Sequence, residues 1–305
     1  VHRPRSDPST VIALVVAVVA VSTSAPLIAY AAAPAIAIAF WRNAMAVGAL
    51  APVALVRRRE ELAGLVAGGQ RRAGLFCVLA GVALSGHFGT WVPSTKLTSV
   101  ATAAALAATQ PVWQGLIAVA QRRWLPPLTW IGIGVAVVGA MAATVADMGV
   151  SGTAVLGDLL ALVAAVFGAA YTALGERARV TTTTTSYTVI CYTVCAVLLL
   201  AACVLGRVPL TGYPATAWLA LVGLTVGPQL LGHSLFTFAL RRLAATTISV
   251  VILLEVPGAA LLGWWWLGQT PRPAAWPGLT LLLIGVAIVV LVGRRRPSDL
   301  PPIMT

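Results

Sequence analysis

The sequence predicts an all-α integral membrane protein with ten transmembrane helices, arranged as two inverted five-helix repeats. Three observations carry that prediction: the composition, ten apolar stretches of spanning length, and an internal repeat with an odd number of helices. Hydrophobic residues make up 59% of the chain and charged residues 9%, whereas soluble domains carry about a quarter charged residues. Mean hydropathy is +0.94. A spanning helix needs roughly 20 mostly apolar residues. A closed barrel would need alternating strands of about ten residues, and no stretch of this chain alternates.

The spans are predicted at 11–33, 35–56, 73–93, 99–120, 128–147, 154–174, 186–206, 215–239, 246–268 and 275–293. The first follows Arg3 and Arg5 and resembles a secretory signal in outline. Its apolar run exceeds the roughly 7–15 residues of a signal core, and the repeat needs this helix. The second holds Trp41 and Arg42 and stops at Arg57-Arg58-Arg59. The third carries Gly86-His87 and Trp91. The fourth carries Gln110-Pro111 and Trp113 and stops at Arg122-Arg123. The fifth opens near Trp130. The sixth is GDLLALVAAVFGAAYTAL with short flanks, and the seventh follows the threonine run 181–185, read as a connection. Cys191 and Cys195 share a face of the seventh, with no histidine or second pair to complete a metal set. With Cys77 and Cys203 they are expected to be small apolar packers. The eighth span carries Gly232-His233, and the ninth carries Glu255 and Pro257. The tenth ends at Arg294-Arg295-Arg296.

The formal charge of +12 does not point to nucleic acid, because its distribution follows the membrane. With the N-terminus cytoplasmic, sixteen arginines fall in inner segments, and only Lys96, Arg207 and Arg272 fall outside. Arg42 alone remains within a span. This is the positive-inside asymmetry. It predicts a multi-pass protein of the cytoplasmic (inner) membrane with both termini cytoplasmic.

Shifted by 146 residues, the sequence meets itself. Gly86-His87 falls on Gly232-His233, Lys96-Leu97 on Arg242-Leu243, and Pro111 on Pro257. Trp130 falls on Trp276, Gly132 on Gly278 and Gly139 on Gly285, with one local slip of two residues between Gln121 and Gln269. The halves are then 1–150 and 151–305. A second copy of five spans must enter the membrane inverted, and inverted repeats mark many secondary transporters.

The stretches QPVWQGLIAVAQRRWLPPLTWIGIGVAVVGA and EVPGAALLGWWWLGQTPRPAAWPGLTLLLIGVAI, with 157–174 and FWRNAMAVGAL at 40–50, resemble EamA-type transporters of the drug/metabolite superfamily. The resemblance covers essentially the whole chain. It implies two five-helix halves and transport of a small organic solute: a metabolite, an amino acid-like compound or a drug. One departure stands out. The family usually has Glu in an L-G-E-like turn at the end of the fourth and ninth spans, where this chain has Gln121 and Gln269. Any role requiring charge there is absent.

The site candidates are the ionisable and polar residues inside the spans. A charge at mid-bilayer costs on the order of 3 kcal/mol, so such groups face the bundle interior or a wet cavity. At 1.5 Å per residue, Glu255 lies about 13 Å and His233 about 9 Å from the inner face. Arg42 lies about 12 Å and His87 about 9 Å from the outer face. Glu255 reads either as a proton or amine binder, as a structural partner of Arg42 or His233, or as cavity lining. His87 and His233 read as proton carriers, or as packing residues bonded to carbonyls at close Gly-His contacts. Arg42 holds a substrate carboxylate or a salt bridge to Glu255. Trp41, Trp91, Trp113 and Gln110 are candidates to line the cavity. Pro111 and Pro257 free backbone carbonyls mid-span and are candidate hinges, or static bends.

No P-loop is present, so this chain is not expected to hydrolyse ATP itself. A membrane-embedded transferase would need acids or histidines clustered at one water interface, and the outer acids are only Asp147 and Asp158. A structural or signalling protein would not need acids and bases at mid-bilayer. The expected protein is therefore not an enzyme but a secondary transporter working by alternating access, open to proton coupling. No cofactor is implied. Its partners are the solute, protons and the bilayer; a monomer suffices, and a homodimer is compatible.

Overall fold

A computed structural model describes residues 7–97, 103, 106–145, 154–267 and 276–293. The described residues are helical, with no strand among them. In chain order the helices are α1 (Pro8–Ser22), α2 (Ser24–Tyr30), α3 (Ala35–Arg57), α4 (Arg59–Val66) and α5 (Arg71–Leu97). Then come α6 (Gln110–Ala120), α7 (Pro127–Val145), α8 (Ala154–Ala178) and α9 (Thr184–Leu205). After α10 (Ala215–Leu224) the chain widens into a π-helix, Thr225–His233, and continues as α11 (Ser234–Ala239). α12 (Ala245–Ile252), α13 (Glu255–Leu267) and α14 (Trp276–Gly293) complete the described chain.

The first helix puts small residues inward and large ones outward. On α1, Ala13, Ala17 and Ala20 are buried, whereas Val11, Ile12, Val15 and Val19 are exposed. Lipid is as apolar as leucine, so helices in a bilayer associate through small residues that let backbones approach. α7 and α14 show the limiting case. A Cβ on Gly139 would lie 2.3 Å from the backbone nitrogen of Leu282, and one on Gly285 would lie 2.3 Å from that of Ala136.

α5 packs on α8, α9 packs on α3 and α5, and α6 packs on α8. α1 packs on the π-helix and α11, and also on α13. Residues 146 apart make comparable contacts. Gly86 on α5 faces the Phe167 ring on α8, and Gly232 in the π-helix faces Val21 on α1, each within 3 Å of where a Cβ would stand.

The structure corrects the expected span list in four places. Among the described residues, six helical segments are long and apolar enough to cross a membrane: 8–30, 35–57, 71–97, 155–178, 184–205 and 215–239. Shorter apolar segments lie at 127–139, 245–258 and 276–292. Of the predicted 99–120 span, α6 covers 110–120, and much of the rest lies outside the described residues. Second, the predicted 246–268 span is interrupted at Leu253–Leu254, and α6 likewise follows a turn at Ala108–Thr109. Proline lacks an N–H and suits the first turn of a helix, so Pro111 and Pro257 each start a new helix instead of continuing an old one.

Third, the eighth span is not a plain α-helix. Pro228 cannot donate to Leu224, and the Ser234 N–H reaches back five residues to the Gln229 carbonyl. Fourth, the connection 57–72 contains α4, whose Leu65 is buried.

Candidate functional site

Arg42 lies in the first half of α3 and is 0% exposed. Its Nε donates to Gln229 Oε1 at 2.9 Å. Gln229 Nε2 donates to Asn43 Oδ1 at 2.9 Å, and Asn43 Nδ2 donates to the Ala39 carbonyl at 2.9 Å. The chain of amides fixes which Gln229 atom faces Arg42. The guanidinium carbon lies 4.1 Å from the centroid of the Phe88 ring, a cation–π contact. Nη1 and Nη2 of Arg42 are buried without a hydrogen-bond partner among the described residues.

Gln229 reaches Arg42 from the π-helix. The wider turn leaves the Gln229 carbonyl open to side chains, and Tyr192 Oη donates to it at 3.2 Å. Tyr192 is also 3.1 Å from Ser234 Oγ. π-turns inside α-helices often occur at functional sites.

His87 and His233 meet, with ring centroids 6.4 Å apart and edge to face. Phe88 and Tyr171 pack on His233 at 5.2 and 6.1 Å. His87 Nδ1 is 2.9 Å from the Ala164 carbonyl. A carbonyl only accepts, so Nδ1 carries the proton and Nε2 of the neutral ring is an acceptor. Gln110 Nε2 contacts Thr172 Oγ1 at 3.4 Å, and Thr172 bonds its own helix at Gly168. A Cβ on Gly168 would lie 2.7 Å from Gln110 Oε1 and 3.1 Å from His87 Nδ1. The glycine thus lets α8 approach both. The result is a polar and aromatic path from Gln110 through His87, His233 and Phe88 to Arg42.

Other candidates stand apart from this path. Glu255 is the first residue of α13, where a carboxylate suits the helix dipole. It is within electrostatic reach of Arg42. Of the alternatives for these residues, neither an Arg42–Glu255 nor a Glu255–His233 ion pair is formed: the ion pairs among the described residues are Arg123–Glu176 and Arg242–Asp7. The neighbours of the His233 ring are His87, Phe88 and Tyr171. Trp41 Nε1 donates to the Leu210 carbonyl at 2.8 Å, and its ring lies 5.2 Å from Trp218. It thereby ties α3 to the 206–214 connection. Trp91 is buried in the main apolar cluster. Trp113 Nε1 bonds Thr109 Oγ1 at 3.3 Å across the turn before α6.

Sequence reasoning missed the partners of these residues. Gln229 was signalled only by its place after Pro228 in an apolar span, and Asn43 and Phe88 only by adjacency to Arg42 and His87. It also missed the contacts of Glu176 and Glu61 at the helix ends. Glu176 Oε2 pairs with Arg123 Nη2 at 2.8 Å, and Glu176 Oε1 accepts from the Ala245 N–H at 3.3 Å, the first residue of α12. Arg123 Nη2 also donates to Gln121 Oε1 at 2.7 Å. Glu61 on α4 accepts from Thr183 N–H and Oγ1 and from Ser186 Oγ, at 2.7 to 2.8 Å, and so caps α9. Partial burial works against the Glu61 carboxylate, but the Thr183 and Ser186 bonds outweigh it and hold its pKa below the usual 4.5.

The model of the EamA-like transporter family matches the chain twice, at residues 8–145 and 155–291. No curated protein matches it. One solved structure, described only as a crystal structure of a protein, shares 21% identity over 95% of this chain and 99% of its own, with a TM-score of 0.75. At that identity the likeness shows the fold alone.

Proposed function

The chain belongs to the EamA-like transporter family, and from that premise we propose that it is a secondary transporter moving a small organic solute by alternating access. In this reading, ten spans form two inverted halves, 1–150 and 151–305, in the cytoplasmic membrane with both termini inside. The observation that carries it is the meeting of His87 and His233. These two residues stand 146 apart in sequence and come together on adjoining helices from the two halves, 6.4 Å between ring centroids. Two copies of one motif facing each other suit a centre shared by both halves.

The helix packing supports the same reading. Exchanging each helix for its counterpart turns the α5–α8 contact into the contact of the eighth span with α1, and the α6–α8 contact into that of α13 with α1. Such a network can be rearranged into its mirror arrangement. The interrupted fourth and ninth spans fit as well, because broken helices at mid-membrane commonly line solute sites in transporters. Pro111 and Pro257 are the proposed hinges. Glu255 and the two histidines are the proposed proton-responsive groups, since each changes charge on gaining or losing one proton. Arg42, Gln110, Trp41, Trp91 and Trp113 are the proposed lining.

The test uses the purified protein in proteoliposomes with an imposed pH gradient. Glu255→Gln keeps the shape of the side chain and removes its charge. Solute exchange should survive, and the response of net transport to the gradient should vanish. An unchanged response would remove Glu255 from the coupling. Single cysteines at 94–98 and 207–214 should label from outside and those at 57–72 and 121–127 should not; the opposite pattern would end the ten-span arrangement.

A further inference from the structure

We propose that Arg42 is the anion seat of the translocation path and that the transported solute carries a carboxylate. This rests on the transport reading above and assigns that site its substrate chemistry. A guanidinium has five donors in a fixed planar fork. Only one, Nε, is used, and its partner Gln229 Oε1 is a neutral amide. The outer pair, Nη1 and Nη2, is buried with no hydrogen-bond partner among the described residues. A buried charge left without a counter-ion is among the least favourable arrangements in a protein. It persists most readily where a ligand supplies the missing charge during the working cycle.

The surroundings favour an arriving anion over an internal one. No carboxylate among the described residues comes within ion-pair distance of Arg42. The guanidinium cannot swing toward one freely, because Phe88 lies against its face at 4.1 Å and the Gln229–Asn43 pair holds its inner edge. The fork is thus pre-oriented with two parallel N–H groups free, the geometry that takes a carboxylate through two bonds.

The charge balance favours a monoanion over a phosphate dianion. Among the described residues the charged group that acts on Arg42 is Glu255, and no second cation joins it there. A dianion would bring more negative charge than the site can neutralise. The nearby rings of Phe88, His233 and Tyr171 offer flat apolar surface for the body of the solute.

Two substitutions separate this role from a structural one. Arg42→Lys keeps the charge and loses the fork. Gln229→Glu is isosteric and places a carboxylate 2.9 Å from Arg42 Nε, a built-in competitor for the incoming anion. The probes are acetate, isovalerate, benzoate and indole-3-acetate, each with its primary amide, together with phenylphosphonate and benzylamine. Thermal unfolding of the purified full chain reads binding, since a ligand of the native state raises the midpoint.

At least one acid should protect the wild type while its amide does not. Its apparent affinity should fall about 10- to 100-fold in both variants, the worth of one charge-assisted hydrogen bond. Gln229→Glu gains a charge partner for Arg42 and loses the bond to Asn43 Oδ1, so protection in each variant is read as the rise above that variant's own unliganded midpoint. Equal protection of the wild type and both variants, protection by amides, phenylphosphonate or benzylamine in place of acids, or no protection by any acid would each overturn the carboxylate seat. A protecting acid that proteoliposomes fail to move would leave the seat standing and sink the transport reading. An amine that is moved without any acid binding would do the reverse.

Discussion

Glu176 sits where three elements meet on the face proposed as cytoplasmic, and its removal gives a quantitative test of whether they form a latch. Its carboxylate joins Arg123, just beyond the end of α6, to the first turn of α12, with side-chain exposures of 8% for Glu176 and 28% for Arg123. We predict that Glu176→Gln loosens this closure without unfolding the protein. A partly exposed ion pair contributes about 0.2–1 kcal/mol. A negative charge at a helix N-terminus adds about 0.3–1 kcal/mol. Together they come to roughly 0.5–2 kcal/mol, which would shift a closed-to-open ratio by about 2- to 30-fold. The assay is the labelling rate of a cysteine placed at Ala173, buried one turn before Glu176, in a background lacking the native cysteines and in inside-out vesicles. Labelling should accelerate within that range. Arg123→Gln should act in the same direction, and the double variant should add little, because both remove one contact. Unchanged labelling in a variant that melts like the wild type would refute the latch.

Two further outcomes follow from local geometry. Gly139→Ala and Gly285→Ala each force a methyl to within 2.3 Å of a backbone nitrogen across the α7–α14 crossing, so each should destabilise by about 1–3 kcal/mol or more. Gly134→Ala on the same helix meets nothing within 4 Å and should be neutral or gain up to about 1 kcal/mol of helix propensity; thermal unfolding in detergent compares the three, and equal midpoints would contradict the close crossing. Glu61 has a folded pKa held below the usual 4.5, so its contribution is fully present above that value and is lost as pH falls through the lowered one. Glu61→Gln should therefore flatten the acid limb of a stability-versus-pH curve and leave its shape above pH 6 unchanged; an identical acid limb would show that the cap on α9 carries no linked proton.

The apolar stretches were legible because hydropathy needs no partner: a run long enough to cross is visible residue by residue. The two histidines stood out for another reason, since an internal repeat carries Gly-His twice; that their rings meet was not legible, because it depends on how the two helices pack. Arg42 and Glu255 stood out as charges in apolar runs. Their partners did not, because partnership is a property of packing. Charge alone suggested that Arg42 and Glu255 bond each other. In the folded chain Glu255 starts a helix instead, and Arg42 turns its Nε to a neutral amide. Gln229 escaped notice because one amide barely lowers the hydropathy of a span, and a π-turn has no periodic signature beyond the missing N–H of Pro228. Glu176 and Glu61 went unremarked because the segments they tie are distant in sequence.

The departures from symmetry all bear on one site. His87 and His233 are matched, but Arg42 stands opposite Thr188, and Glu255 opposite Thr109. Both threonines spend their hydroxyls on their own helices, at 2.8 Å to the Thr184 carbonyl and 2.6 Å to that of Leu106. Neither can stand in for the missing charge. The π-helix is likewise confined to one copy, because Pro228 stands opposite Val82 in the unbroken α5. Its effect is to bring Gln229, opposite Ala83, onto Arg42. The scaffold repeats, whereas the cation, its amide clamp and the acid each occur once. Two mirror-related arrangements of such a molecule cannot be equal in energy, since the charges meet different neighbours in each. The inequality gives a bound anion or a proton something to act on, because a ligand shifts a conformational equilibrium only by its difference in affinity for the two states.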